Sequence, residues 1–189
     1  MTASLTTYAA PARTQWQLAA VGGTGVAVAA VLAAYARAHP GDGQPLFTLG
    51  FSGMLPMKAW LTTAATVLVL VQVTTALWMY GRLGRSAAPA WAAPVHRWSG
   101  AIAFVVTLPV LFHCVWSLGF ASGDARTLLH SVAGCALYGA FAAKMLALRL
   151  RGLPGWLVPA LGSLVVLSLL TLFFGAALWY FTRDGVPLR

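Results

Sequence analysis

Any chemistry in this chain falls to few residues. The 189-residue sequence has four histidines, two cysteines and three acids, Asp42, Asp124 and Asp184, with no glutamate. His113 and His130 stand out by their spacing. Their midpoint falls at Ala121-Ser122, inside a turn-forming stretch from Gly119 to Ala125 that separates two apolar runs. In an antiparallel helical hairpin the two imidazoles are then level, each roughly 8 to 10 Å below the end of its helix at ~1.5 Å rise per residue. Two level imidazoles within hydrocarbon can clamp one metal from opposite sides, and a b-type haem held edgewise between helices needs such a pair.

The neighbours of His130 fit that chemistry. Arg126, His130 and Gly134 recur every four residues and share one helix face, which Tyr138 continues. Arg126 lies one turn toward the surface, placed to pair with a haem propionate. Gly134 lies one turn deeper, where a missing side chain admits a flat macrocycle. Pro109 precedes His113 by one turn, and its missing N–H favours a bend there. The competing readings are ordinary packing of small residues, with each histidine bonded to a neighbour, and a site for another metal, a proton or a quinone. Ionisable groups are costly in hydrocarbon and usually functional, which favours haem.

His96 raises the question of a second haem. It too is followed by a glycine four residues on, but it lies 17 residues from His113. That is about 100° off register, where about 14 residues would return to the same face. The depth-matched position on the next run falls near Ala147, beside Lys144 and Met145, with no histidine. Two readings stay open: a haem with Met145 or Met79 as second ligand, and the favoured one, a capping or interfacial histidine. His39 is likewise either a solvated loop residue or, with Met54 and Met57, a soft-metal site. Cys114 and Cys135 read as small packing residues at different depths, with Cys114 beside His113 as an alternative metal ligand.

The elements that must hold these groups follow from composition. With 60% hydrophobic and 8% charged residues and a mean hydropathy of +0.80, a bilayer has to supply the solvent. We expect an all-α integral membrane bundle of five transmembrane helices forming one domain, with spans at 16–36, 58–80, 96–119, 126–148 and 154–181. Ala34-Tyr35-Ala36 imitates a signal cleavage site, but the run before it is longer than a signal core, so it counts as a span. Gln72 is expected to make an interhelical hydrogen bond, Lys144 to snorkel, and the tryptophans near span ends to anchor interfaces.

The net charge of +9 comes from Lys and Arg placed singly or in small groups at the ends of apolar runs. No basic stripe is present, which excludes nucleic acid as a partner. Arg82, Arg85 and Arg97 flank one connection and Arg149 and Arg151 the other, so both loops should be cytoplasmic. The N-terminus with Arg13 is then inside, and the C-terminus and all three aspartates outside. No nucleophile stands beside a base, and no glycine loop follows a strand, so hydrolysis and nucleotide binding are unsupported.

His96-Arg97-Trp98-Ser99-Gly100, His113 and His130-Ser131-Val132-Ala133-Gly134 together resemble the membrane b-type cytochromes, cytochrome b561-like and ferric-reductase-like. The chain also looks similar to uncharacterised five-helix membrane proteins of actinobacteria. The resemblance implies electron transfer through haem b, one or two, in a bacterial plasma membrane, with His113, His130, Arg126, Gly134 and His96 around the cofactor. It also implies a redox partner protein on the outer face or a quinone, membrane lipid around the bundle, and the role of a subunit in a larger oxidoreductase. Those families usually carry two levelled histidine pairs, whereas here only His113 with His130 is complete. Two other classes suit the same residues: a cofactor-free scaffold subunit, and a metal or small-solute transporter using His39, Met54, Met57 and His113.

Overall fold

Long apolar runs in lipid must satisfy their backbone internally, and helices do so. The structure, a computed structural model, describes residues 12–84 and 87–186; the tail before them, Arg85 of the basic loop and the terminal Arg189 lie outside the described residues. Five long helices result: α1 Ala12–Ala38, α2 Met54–Met79, α3 Ala92–Leu118, α4 Ala125–Ala147 and α5 Leu157–Asp184, with no strand among the described residues. Each is long and apolar enough to cross a membrane, so this is a multi-pass helical membrane protein.

Helix starts differ from those the apolar runs suggest. α2 begins at Met54 with Pro56 in its first turn, and α3 at Ala92 with Pro94 in its first turn. Proline is tolerated there because first-turn amides have no intrahelical partner. His96 consequently sits one turn inside α3 instead of opening it. α3 and α5 each contain a π-helical stretch, His113–Leu118 and Phe173–Leu178.

α4 starts on a reciprocal cap. The Asp124 carboxylate accepts from the Thr127 amide at 2.9 Å, while the Thr127 hydroxyl accepts from the Asp124 amide at 3.3 Å. Donation by the Thr127 amide holds the Asp124 carboxyl below its ordinary range. A depressed folded-state pKa means support that is present above the unfolded-state value and lost as pH falls through the folded one. We therefore expect Asp124→Ala to lower thermal stability slightly at neutral pH, and the gap from wild type to close under strong acid. Melting curves in detergent across that range check this, and a gap independent of pH would refute it.

The helices form a ring. α3 packs on α2, α4 lies between α1 and α5, the π-helical part of α5 meets α2, and α1 touches the end of α3. The expectation that α3 and α4 form one packed hairpin is corrected here: their backbones stay apart and long side chains bridge the gap. The Tyr138 hydroxyl donates to the Thr107 carbonyl at 2.9 Å, and Phe104 stacks on Phe141 at 4.2 Å. The cause is the α1–α4 crossing, where Gly25 and Gly139 let two backbones approach so closely that a Cβ on Gly139 would collide with the Gly25 carbonyl. Drawn to α1, α4 leaves room on its other side.

The connection after α1 folds back over the end of α3. The Gly43 amide donates to the Ser117 carbonyl at 2.9 Å and the Phe120 amide to the Ala36 carbonyl at 3.0 Å. Gly119 turns the chain at φ 70°, a left-handed conformation that suits glycine. The strap brings Phe47 edge-on to His113 at 4.5 Å between ring centres. One end of the bundle thus gathers His113, His130, Lys58, Arg126, Arg183 and the three aspartates, while His96, Lys144, Arg97 and Arg149 lie at the other.

Candidate functional site

At the end of the bundle that carries His130, the ring encloses a cavity of about 550 Å³ whose wall draws on every helix. α1 gives Ala36, α2 gives Lys58 and Thr62, α3 gives Cys114, and α5 gives Trp179, Tyr180, Arg183 and Asp184. From α4 come Arg126, His130, Gly134 and Tyr138, the four residues that the i, i+4 spacing placed on one face. Cys135 also reaches the wall, and both cysteines are free thiols. A Cβ added to Gly134 would meet nothing within 4 Å, so that notch is open.

His113 is fully buried. Its Nδ1 lies 2.8 Å from the Pro109 carbonyl one turn back, and a carbonyl can only accept, so the proton is on Nδ1 and the Nε2 lone pair is free. Nε2 has no partner. This tautomer, with Nδ1–H fixed by a backbone oxygen, is the one that a metal-ligating histidine adopts. His130 is the complementary case: its Nδ1 is buried without a partner, and its Nε2 lies 3.7 Å from Cys114 Sγ. A buried polar atom without a hydrogen bond costs free energy, and two such imidazole nitrogens at one end of the bundle are unusual.

The two histidines are not brought face to face. Each lies five residues from its helix end, on α3 and α4 respectively, as equal spacing from the turn requires. His113 nevertheless packs against Phe47 and Phe112, off the cavity wall, and the next residue, Cys114, is the one that meets His130. Consecutive helical residues point about 100° apart, so a wall presenting Cys114 turns His113 aside.

Arg126 is held at the cavity wall by α5. Its Nη1 donates to the Gly175 carbonyl at 3.2 Å, and its guanidinium lies 4.0 Å over the Trp179 ring. The π-helical stretch makes this available, because the Trp179 amide bonds the Ala176 carbonyl and leaves that of Gly175 to the arginine. Arg183 lies over the same indole at 5.0 Å. Lys58, Trp179 and Arg183 were missed from sequence; counting inward from the ends of the second and fifth spans would have placed all three at the depth of Arg126.

His96 belongs to another cluster, at the opposite end. Its Nδ1 lies 3.0 Å from Thr75 Oγ1, and Gln72 donates to the His96 carbonyl and, at 2.7 Å, to Ser99 Oγ. That is the interhelical bond expected of Gln72. The notch at Gly100 is filled by the same amide, since a Cβ there would stand 2.9 Å from Gln72 Oε1. Unlike Gly134, it offers no room for a macrocycle. His39 is exposed, with its ring stacked on Tyr35 at 4.2 Å, whereas Met54 and Met57 are buried. Among the described residues no group of three His, Cys, Asp or Glu is close enough together to hold a metal ion.

Residues 17–188 match a family of unknown function, DUF6529. No curated protein and no solved structure matches the chain.

Proposed function

We propose that this chain, which belongs to the DUF6529 family, is a membrane electron-transfer protein whose cavity would hold a b-type haem through His130 and His113. The observation that carries this reading is the pair of buried imidazole nitrogens without partners, His113 Nε2 and His130 Nδ1. A tetrahedral metal site built from protein alone needs three or four donors together, and the described residues hold no group of three. A haem brings four nitrogens of its own and needs only one or two more.

The bound group supplies one-electron chemistry. The chain does the rest. The Pro109 carbonyl fixes the His113 tautomer, Gly134 leaves a notch that would admit a ring edge, and Arg126 at the wall would pair with a carboxylate of the bound group. His113 does not line the cavity, so ligation by both histidines would require its ring, now packed edge-on to Phe47, to move toward it. Because the site stands at one end of the bundle and His96 has protein partners at the other, the reading is a single haem serving a redox partner or quinone at the outer face of a bacterial plasma membrane. Such a chain acts as a subunit of a larger oxidoreductase. An oxidised-minus-reduced spectrum of the purified chain should show a Soret band and the sharp visible bands of six-coordinate haem b; a colourless protein refutes the reading.

The notch yields a further expectation. Gly134→Ala should fold and bind haem normally, whereas Gly134→Trp should fold but lose most of its haem, about tenfold or more, because the indole occupies the ring's place. Equal Soret intensity in the two variants would remove Gly134 from the site.

A second reading has an observation of its own. The 3.7 Å contact of Cys114 Sγ with His130 Nε2 suits a soft cation such as Cu(I). Metal analysis separates the two, since haem predicts iron with porphyrin.

A further inference from the structure

The cavity wall carries three cations, Lys58, Arg126 and Arg183, against a single carboxylate, Asp184. Two of the cations share one indole face-on, at 4.0 and 5.0 Å from the Trp179 ring centre. Like charges so gathered around an apolar space repel one another more strongly than they would in water. The remainder of the wall is mainly hydrocarbon from five helices, including Leu137, Leu169 and Leu172. Cations at one side of an otherwise apolar chamber match an amphiphile with an apolar body and oxyanions at one edge.

We propose that Lys58, Arg126 and Arg183, set around Trp179, form an oxyanion clamp that binds the carboxylate or phosphate groups of the cavity's occupant and orients its apolar body inward. Each cation has a distinct part. Arg126 is fixed by the Gly175 carbonyl and Trp179, so its remaining N–H groups point in a preset direction. Lys58 reaches in from α2 on another side of the ring, and Arg183 stands in the last turn of α5, exposed and able to swing onto the oxyanion. Three donors from three helices suit two oxyanion groups better than one.

The shared chemistry has two sources, the carboxylates of a porphyrin and the phosphate of a phospholipid. With porphyrin as occupant the clamp rests on the haem reading; with phospholipid it does not. The test uses the full chain purified in detergent, as wild type and as the double variant K58Q/R183Q, which leaves the partly buried Arg126 in place. Each is titrated with haem and with haem dimethyl ester, followed by the Soret band, and the lipid that copurifies is identified by mass spectrometry.

We expect wild type to bind free haem about tenfold or more tighter than the ester, the size of one or two charge-assisted hydrogen bonds, and the double variant to lose most of that preference. Copurified anionic phospholipid that the double variant loses, with no Soret band in either protein, upholds the clamp and overturns the haem reading. Equal binding of haem and ester by wild type overturns the clamp and leaves the haem reading standing. If neither porphyrin nor anionic lipid binds, both fall.

Discussion

Replacing His130 with alanine should abolish the Soret band of the purified protein, and replacing His96 should leave it unchanged. The contrast follows from environment, since both residues are partly buried histidines four positions before a glycine. His130 lines the cavity with a buried nitrogen lacking any partner, beside a notch that is open. His96 bonds Thr75, and the notch beside it holds Gln72. Removing an outer partner of a metal-bound histidine already costs about 10- to 100-fold in affinity. Losing the ligand itself should cost on the order of a hundredfold or more. His113→Ala should do the same, and His113→Met should keep haem with a raised potential, because thioether ligation favours the reduced iron. The decisive measurement is haem content per folded protein by pyridine haemochrome. Full occupancy in both alanine variants would remove the pair as ligands.

Gly139→Leu, at a position that does not line the cavity, should be strongly destabilising. A Cβ at this position already runs into the Gly25 carbonyl and stands 3.1 Å from the Ala29 Cβ, so leucine must force α1 and α4 apart. Overpacking a core typically costs about 1–3 kcal/mol, and the clash here is with backbone, which cannot rotate away. We expect about 3 kcal/mol or more, seen as a large drop in melting temperature in detergent. Gly22 and Gly23, on the same helix as Gly25, would meet nothing within 4 Å, so Gly23→Leu should be nearly silent. If Gly139→Leu and Gly23→Leu melt together, the α1–α4 crossing is not what sets the ring.

The two expectations are linked. The closeness of α1 and α4 displaces α4 from α3 and opens the cavity, so a change at Gly139 should also alter haem retention without touching the site. Gly134→Trp acts oppositely, filling the cavity and sparing the crossing.

The sequence by itself determined the helices and the face that matters. Runs of apolar residues in lipid have one backbone solution, and the four-residue spacing of Arg126, His130, Gly134 and Tyr138 fixes them to one side of α4 whatever that side meets. Equal distance from one turn likewise fixed His113 and His130 at one depth. What only the tertiary structure decided was which helices touch. Small residues that let backbones approach are scattered through every span, and nothing local distinguishes the Gly25–Gly139 crossing from glycines facing lipid. That crossing separates α3 from α4; Cys114 then faces His130 across the cavity, and the strap after α1 packs Phe47, far away in sequence, against His113. The clamp depends on the same closure, because Lys58 and Arg183 join Arg126 only when the ring brings α2 and α5 to α4.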